Sequence, residues 1–120
     1  MSTILVAEDN GAERGLLVRA LQSDGHSVIE AENGQIALQQ LLANPAAVAV
    51  LVSDVEMPEL DGIELARRGL AANAGLKIIL ISGHASVLER AGDLVAKGAR
   101  TLVKPVALQK VRAEIKALTS

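Results

Sequence analysis

Side chains capable of acid and phosphoryl chemistry stand where short apolar runs of this sequence end. Glu8 and Asp9 follow the first run, and Asp54 follows the third, which reads AVAVLVS. Ser82 closes the fourth run, and Lys104 follows the fifth. If these runs are parallel strands, their ends meet at one edge of a sheet, and three acids, a hydroxyl and an amine come together there.

The residue types in this set restrict the chemistry. Carboxylates that lie close together repel, so one of them stays protonated unless a cation intervenes. Oxygen ligands without His or Cys favour a hard ion, Mg²⁺ or Mn²⁺. Such an ion beside a lysine and a hydroxyl suits a phosphoryl group, and a carboxylate can itself be the nucleophile. The chain has no G-x-x-x-x-G-K-[ST] loop and no G-x-G-x-x-G motif for binding phosphate in another way.

The hydrophobic pattern predicts the elements that position these side chains. Five apolar runs alternate with segments of helical spacing, which is typical of a parallel sheet covered by helices on both faces. The first, third and fourth runs are apolar on both faces, as central strands are, whereas the second and fifth are more polar, as edge strands are. We therefore predict an α/β fold, a flavodoxin-like (βα)5 doubly wound parallel sheet with strand order 2-1-3-4-5. The predicted strands are Thr3–Ala7, Ser27–Ala31, Ala47–Ser53, Lys77–Ser82 and Arg100–Val103.

Three helices carry specific expectations. The first should be capped by Asn10 with Glu13 three residues later, and should stop at Asp24-Gly25. The fourth, roughly residues 85–96, is the weakest, because Gly92 inside it costs about 1 kcal/mol. The last should bury an apolar face and expose a charged one. Its predicted inward residues are Leu108, Val111, Ile115 and Leu118, and its predicted outward residues are Lys110, Arg112, Glu114 and Lys116.

Composition excludes several classes of function. The 120 residues are expected to form one domain, 1–120, and the absence of Phe, Tyr and Trp removes the usual platforms for stacking bases or flavin rings. A net charge of −2 gives no overall attraction to nucleic acid or to an anionic membrane. With no cysteine there is neither a disulfide framework nor a Cys-ligated metal. Lacking a signal peptide and any apolar run of roughly 18 residues, the chain is expected to be soluble and cytoplasmic, with no nucleic-acid or membrane partner.

Over essentially its whole length the chain resembles the receiver domain of two-component response regulators. It resembles the stand-alone receivers that consist of a single domain. The segments MPELDGIELARR and LKIILISGHA look like those of alphaproteobacterial members. Each matching piece stands at its own strand end or in the loop beyond it. The pieces are Glu8-Asp9, Asp54, Met57-Pro58, Asp61-Gly62, Ser82-Gly83 and Lys104-Pro105, the last of which could hold a cis peptide bond.

The resemblance implies a phosphorylation site with an ion beside it. Asp54 would accept a phosphoryl group from a sensor histidine kinase or a histidine phosphotransfer protein. Asp9, Asp54 and the backbone carbonyl of Glu56 would bind Mg²⁺ or Mn²⁺, with Glu8 helping through water, and Lys104 would pair with phosphoryl oxygens. Output would pass to an unknown downstream protein through the face of helix 4, strand 5 and helix 5, and the protein would be a monomer or a weak dimer.

The residues expected to act as the switch depart from the family pattern. The resemblance implies that Ser82 hydrogen-bonds to a phosphoryl oxygen and shifts inward. Receivers usually carry Tyr or Phe three residues before the lysine, where this chain has Thr101, and commonly Phe after Lys-Pro, where it has Val106. We therefore expect the output surface to respond by backbone or helix movement. Glu56 and His84, two residues beyond the acceptor and the hydroxyl, are hypothesised to tune the phosphoryl lifetime, because both can reach an attacking water.

Two other functions remain to be weighed. An unphosphorylated pseudo-receiver could act as a scaffold, although such a protein has no need of the intact acids, Ser82 and Lys104. A dehalogenase-like phosphatase also uses an Asp nucleophile, Mg²⁺ and Lys, but it places that Asp after its first strand and a second Asp two residues on. Here the strand is the third, the second acid is Glu56, and 120 residues leave no room for a cap domain. The chain is therefore expected to be a switch that slowly loses its phosphoryl group, not an enzyme that turns over a substrate.

Overall fold

The structure is a computed structural model that describes residues 2–120. Its strands are β1 (Thr3–Ala7), β2 (Ser27–Ala31), β3 (Val50–Asp54), β4 (Lys77–Ser82) and β5 (Arg100–Val103). Its helices are α1 (Gly11–Ser23), α2 (Gly34–Ala43), α3 (Gly62–Ala72), α4 (Ala85–Leu88), α5 (Gly92–Ala96) and α6 (Leu108–Thr119). Two short 3-10 turns lie at Pro45–Ala47 and Glu89–Ala91.

The sheet order confirms the predicted fold class. The strands lie in the order β2-β1-β3-β4-β5, and every neighbouring pair is parallel. Because the order reverses between β1 and β3, the loops that follow these two strands lie side by side. Ala7 pairs with Ser53, and Asp54 pairs with Ile81 on β4. The third strand begins three residues later than predicted, because Pro45–Ala47 forms a 3-10 turn, and it includes Asp54 as its last residue.

Two aliphatic clusters, one on each face of the sheet, form the core. Successive residues of a strand point to opposite faces, so β1 sends Leu5 to one cluster and Ile4 to the other. In the same way β3 divides Leu51 from Val52. All of these side chains are almost completely buried, which confirms that the central strands are apolar on both faces.

The predicted fourth helix is broken into three pieces, α4, the 3-10 turn Glu89–Ala91 and α5. Gly92 stands at the junction, where its poor helix propensity offers least resistance to a break. Few side chains anchor this segment in the core; the buried ones are Leu88, Ala91 and Leu94. An ion pair on the surface joins it to α3, where Arg67 Nε lies 3.0 Å from a carboxylate oxygen of Asp93.

The last helix corrects two predicted directions. Its covered apolar residues are Val111, Ile115 and Leu118. Leu108 is 38% exposed, because it occupies the first position of α6 beside an open cavity and does not reach the core. Glu114 is not an outward charge: its side chain is only 14% exposed and lies 2.9 Å from Arg100 on β5.

The predicted cap of α1 is confirmed, since Asn10 Oδ1 accepts a hydrogen bond from the N–H of Glu13. Within residues 2–120, no helix combines the length and apolar character needed to cross a bilayer.

The start of α3 packs directly against the end of β3. A Cβ atom added to Gly62 would lie 2.1 Å from the carbonyl oxygen of Asp54. The same carbonyl accepts a hydrogen bond of 2.8 Å from Ser53 Oγ, and the N–H of Gly62 donates to Val55. The absence of a side chain at Gly62 therefore lets α3 hold the backbone of the residue on which the site is built.

Replacing Gly62 should destabilise the protein for this reason. We expect Gly62→Ala to lower the free energy of unfolding by about 1–3 kcal/mol, because the helix must move away from β3. Gly92→Ala is the matched control: its added Cβ meets nothing within 4 Å, so stability should stay unchanged or rise by about 0.5–1 kcal/mol. Urea unfolding followed by far-ultraviolet circular dichroism measures both. Equal losses in the two variants would contradict the close approach at Gly62.

Candidate functional site

An ion pair between β3 and the loop after β5 lies at the centre of the site. Nζ of Lys104 is 2.8 Å from Oδ2 of Asp54. Nζ also lies 3.5 Å from Oε1 of Glu8, which follows β1. Asp54 and Glu8 are 7% and 8% exposed, so both acids are buried at the carboxyl edge of the sheet. The structure thus brings together three residues that the sequence pattern placed at three separate strand ends, and the predicted cis bond between Lys104 and Pro105 is confirmed.

Glu13 also belongs to this group of charges, although the sequence reading gave it only a place near the cap of α1. Its Oε2 lies 3.5 Å from Nζ of Lys104. Oxygens of Glu8, Glu13 and Asp54 lie within 4.8 Å of one another. The signal that could have found Glu13 is its place in the first turn of α1, since this helix starts at the same sheet edge where β1 ends.

One ammonium does not fully compensate these acids. Burial, hydrogen bonding to Asp54 and the negative charge of Asp54 together raise the pKa of Glu8 from its ordinary value of 4.5 to about 8. The N–H of Asn10 donates to Glu8 and acts in the opposite direction. For Lys104, burial alone would lower the pKa, but the hydrogen bond to Asp54 and the surrounding carboxylates outweigh burial and raise it above its ordinary value. Lys104 is therefore a permanent cation in this pocket.

Asp9 lies at the exposed rim next to Glu8 and is not one of the three acids around Lys104. It is exposed, whereas its neighbour Glu8 is turned inward and held by the N–H of Asn10 at 2.9 Å. Arg14 also fixes this turn, because its Nη1 donates to the carbonyl of Glu8 at 2.7 Å. The family resemblance assigns the ion directly to Asp9 and only indirectly to Glu8, while the side chains in this structure place Glu8 deeper.

The hydroxyl of Ser82 lies at the site but is bonded to Glu56. Ser82 is 1% exposed, and its Oγ lies 2.8 and 2.9 Å from the two carboxylate oxygens of Glu56. The N–H of Gly83 donates to the same carboxylate at 3.2 Å. The backbone N–H of His84 donates to Ser82 Oγ at 3.0 Å. The carboxylate of Glu56 therefore joins the loop after β3 to the loop after β4.

The side chains of Thr101 and His84 make no hydrogen bond to these groups within residues 2–120. Thr101 is half-buried on β5, where it pairs with Leu80 of β4. His84 is exposed just before α4 and contributes its backbone to the site.

A cavity of about 470 Å³ opens beside the ion pair, between α1 and the start of α6. Its polar end is formed by Asp54 and Lys104, and its apolar wall includes Leu16, Val106 and Leu108. Val106, where the family commonly has Phe, leaves this wall aliphatic. The site therefore combines buried acids, one lysine, one hydroxyl and an apolar approach.

Comparison with known proteins shows the family of this chain. The model of the response regulator receiver domain family matches residues 4–116. This chain belongs to that family. Receiver domains are signalling switches of two-component systems rather than enzymes that turn over a substrate, and they interact with histidine kinases and phosphotransfer proteins.

Individual relatives of this chain are also response regulators. It is 39% identical to the response regulator receiver protein CpdR of the alphaproteobacterium Brucella abortus, over 96% of this chain and 94% of that protein. It is 40% identical to the response regulator MprA of Mycobacterium sp. (strain KMS), over 96% of this chain, but it spans only 49% of that protein. The crystal structure of TrrA from Thermotoga maritima, a complex with Mg(2+)-BeF, superposes with a TM-score of 0.84 at 28% identity, covering 98% of this chain and 99% of TrrA.

The raised pKa of Glu8 predicts a pH dependence for the metal-free receiver. Because the folded state holds this proton more tightly than the unfolded state, the contribution of Glu8 to stability is fully present below about pH 4.5 and is lost as the pH rises through about 8. Urea unfolding in the presence of a chelator should therefore show a falling free energy of unfolding between pH 5 and pH 8. Glu8→Gln should flatten this decline, and an equal slope in the variant would contradict the assignment to Glu8.

Proposed function

We propose that this chain is a phosphorylation-dependent signalling switch in which Asp54 accepts a phosphoryl group from a sensor histidine kinase or a histidine phosphotransfer protein. The observation that carries the proposal is the 2.8 Å contact between Lys104 Nζ and Asp54 Oδ2 in a buried acidic pocket. Membership of the receiver family supports the same reading. The scaffold alternative finds no comparable support, because it leaves this costly burial of charge without a use.

The proposed transfer uses the carboxylate as the nucleophile. An oxygen of Asp54 attacks the phosphorus of a phosphohistidine, the P–N bond breaks, and its electron pair stays on the imidazole nitrogen. The positively charged ammonium of Lys104 then contacts the new phosphoryl oxygens and compensates part of their negative charge. In a separate, slow hydrolysis, water attacks phosphorus, the P–O bond to Asp54 breaks, and inorganic phosphate leaves as the carboxylate is restored.

The donor set fits a hard divalent cation, Mg²⁺ or Mn²⁺. The carboxylates of Glu8, Glu13 and Asp54 cluster around a single ammonium. Burial first, and then the hydrogen bond and charge of Asp54, raise the pKa of Glu8 in this cluster. We assign the cation to Asp9, Asp54 and the backbone carbonyl of Glu56, with Glu8 acting through water and Glu13 as a further carboxylate nearby. When bound, the cation supplies positive charge for the phosphoryl oxygens.

The protein is proposed to signal to an unknown downstream protein through a surface formed by α4, α5, β5 and α6. The predicted fourth helix corresponds to α4 and α5, and the predicted fifth helix to α6. Ser82 acts as the switch hydroxyl at the start of this surface, together with Thr101, which stands on β5 two residues before Val103, the partner of Ser82. Two apolar side chains, Val95 of α5 and Val103 of β5, are exposed there, which suits a protein partner. We propose that the receiver acts as a single domain over residues 1–120 and is a monomer or weak dimer.

Phosphorylation by a small donor tests the acceptor directly. With acetyl phosphate and Mg²⁺, intact-mass measurement should show the gain of one phosphoryl group, and excess chelator should abolish it. Asp54→Asn should show no gain, whereas Asp93→Asn, which changes an exposed acid paired with Arg67, should behave as the parent does. If neither acetyl phosphate nor a phosphorylated histidine kinase modifies the parent, the switch is refuted and the scaffold reading replaces it.

The lifetime of the phosphoryl group is proposed to depend on the side chains of Glu56 and His84. Both stand beside the site on loops that contact each other through Ser82. Removing both should slow hydrolysis by about tenfold, roughly 1.4 kcal/mol in the barrier, because both can reach an attacking water. The decay of the phosphorylated mass in the Glu56→Ala, His84→Ala double variant measures this. A rate equal to that of the parent would end the proposal.

A further inference from the structure

The carboxylate of Glu56 occupies the hydrogen-bonding position of an anion at the end of β4. It lies within 2.9 Å of Ser82 Oγ through both oxygens and accepts from the N–H of Gly83 at 3.2 Å. A side-chain hydroxyl and a backbone N–H aimed at the same oxygens are what a phosphoryl oxygen would also use. The acid that receives these donors comes from the loop that follows Asp54, 26 residues away from Ser82 in the sequence.

Ser82 cannot serve both anions at once. A serine hydroxyl carries a single proton, and its nearest acceptors are the two carboxylate oxygens of Glu56 at 2.8 and 2.9 Å, closer than the carbonyl of His84 at 3.2 Å. No hydrogen bond joins Ser82 to Asp54 in the part of the chain that the structure describes. The side chain of Asp54 instead accepts a hydrogen bond from Lys104 at 2.8 Å. A phosphoryl group on Asp54 must therefore take the hydroxyl from Glu56 before Ser82 can contact it.

We propose that Glu56 is a positioning residue that holds Ser82 in the unphosphorylated arrangement and competes with the phosphoryl group for its hydroxyl. This inference rests on the proposed function of Asp54 as acceptor. Glu56 lowers the affinity of the site for an anion on Asp54 by the free energy of its own contacts with Ser82 and Gly83. It thereby sets how far a given level of phosphorylation moves the switch.

Hydrogen bonds hold the backbone around Ser82, so only side chains move when Ser82 exchanges Glu56 for the phosphoryl group. The N–H of Val55 donates to Ile81 at 2.8 Å, and the N–H of Lys104 donates to the carbonyl of Ser82 at 2.8 Å. Gly62 holds the other end of the Glu56 loop against β3. With both strand ends fixed, the hydroxyl of Ser82 changes partner by rotation about its own bonds.

The release of Glu56 from Ser82 also affects the output surface, through Gly83. Gly83 loses its carboxylate acceptor at the same moment as Ser82 does, and this residue lies in the short loop that leads into α4. The segment beyond is already broken into α4, a 3-10 turn and α5, so few packed side chains resist its movement. In this protein a change of hydrogen-bond partner can thus replace the rotation of an aromatic ring.

Substitution of Glu56 leaves the rest of the site in place. Glu56 is exposed, so its removal creates no cavity. In its absence Ser82 Oγ still has the carbonyl of His84 at 3.2 Å as an acceptor and the N–H of the same residue as a donor. The backbone carbonyl at position 56, the proposed cation ligand, remains in Glu56→Ala.

Beryllofluoride with Mg²⁺, a mimic of the phosphoryl group, measures the competition. Its affinity is obtained by titration of ¹⁵N-labelled protein followed by nuclear magnetic resonance. Glu56→Ala should bind about tenfold more tightly than the parent, as expected for loss of a competing charge-assisted hydrogen bond. Glu56→Gln keeps a weaker acceptor, so it should lie between the two. Glu59→Gln removes the same charge from the same loop but from a side chain without a hydrogen bond to Ser82, and it should match the parent.

A second background separates the hydrogen bond from simple charge repulsion. In Ser82→Ala the gain from Glu56→Ala should shrink to within about twofold, because Glu56 acts through the hydroxyl. Addition of beryllofluoride to the parent should also move the Gly83 amide resonance toward its position in Glu56→Ala. An equal gain in both backgrounds, or no gain with Ser82 present, overturns the inference.

These outcomes are distinguishable from failure of the proposed function. If the parent binds beryllofluoride with Mg²⁺ and Asp54→Asn does not, the acceptor role stands whatever Glu56 does. If the parent itself does not bind, both the acceptor role and the competition are refuted. The ¹⁵N spectrum of each variant before titration shows whether it is folded.

Discussion

The arrangement of this site depends on one ammonium group among three carboxylates. Nζ of Lys104 contacts Asp54 at 2.8 Å and both Glu8 and Glu13 at 3.5 Å, and two of these acids are buried. Burial, together with the hydrogen bond and negative charge of Asp54, raises the pKa of Glu8. In the proposed function, this lysine and a divalent cation together favour the added phosphoryl group. The pocket therefore holds more carboxylates than its one ammonium can pair with, and this is the feature that the proposed function uses.

A second anion site, formed by Ser82 and Gly83 and filled by Glu56, adjoins the first. The two sites are linked because Glu56 follows Asp54 by two residues, while Ser82 ends the neighbouring strand. The segment beyond Gly83 has few buried side chains and is attached to α3 mainly at the surface, through Arg67 and Asp93. Low local stability near a tightly fixed site is a common feature of elements that move. A chain without aromatic residues can signal through such a segment.

Much of the fold could be predicted because it follows from local pattern. Short apolar runs rich in β-branched residues and leucine identified the five strands, and their relative polarity indicated which strands lie at the edges. The cap at Asn10 follows from an interaction three residues long, which the sequence displays directly. The low helix propensity of Gly92 predicted that the fourth helix would be the weakest, although not that it would break into separate pieces. The predicted directions of Leu108 and Glu114 were wrong. The helical period alone reveals neither the cavity next to Leu108 nor the partner of Glu114, which is Arg100 on β5.

By itself, the sequence determined the strand ends, and with them the approach of Glu8, Asp54 and Lys104, because parallel strands in this order must end at one edge. Only the tertiary structure decided which way the side chains at that edge turn. It turned Glu13 toward the lysine, left Asp9 at the rim and directed Glu56 across to Ser82. These choices depend on competition among charges and hydrogen-bond donors from loops far apart in the chain. Such competition is settled by distances that no local pattern encodes.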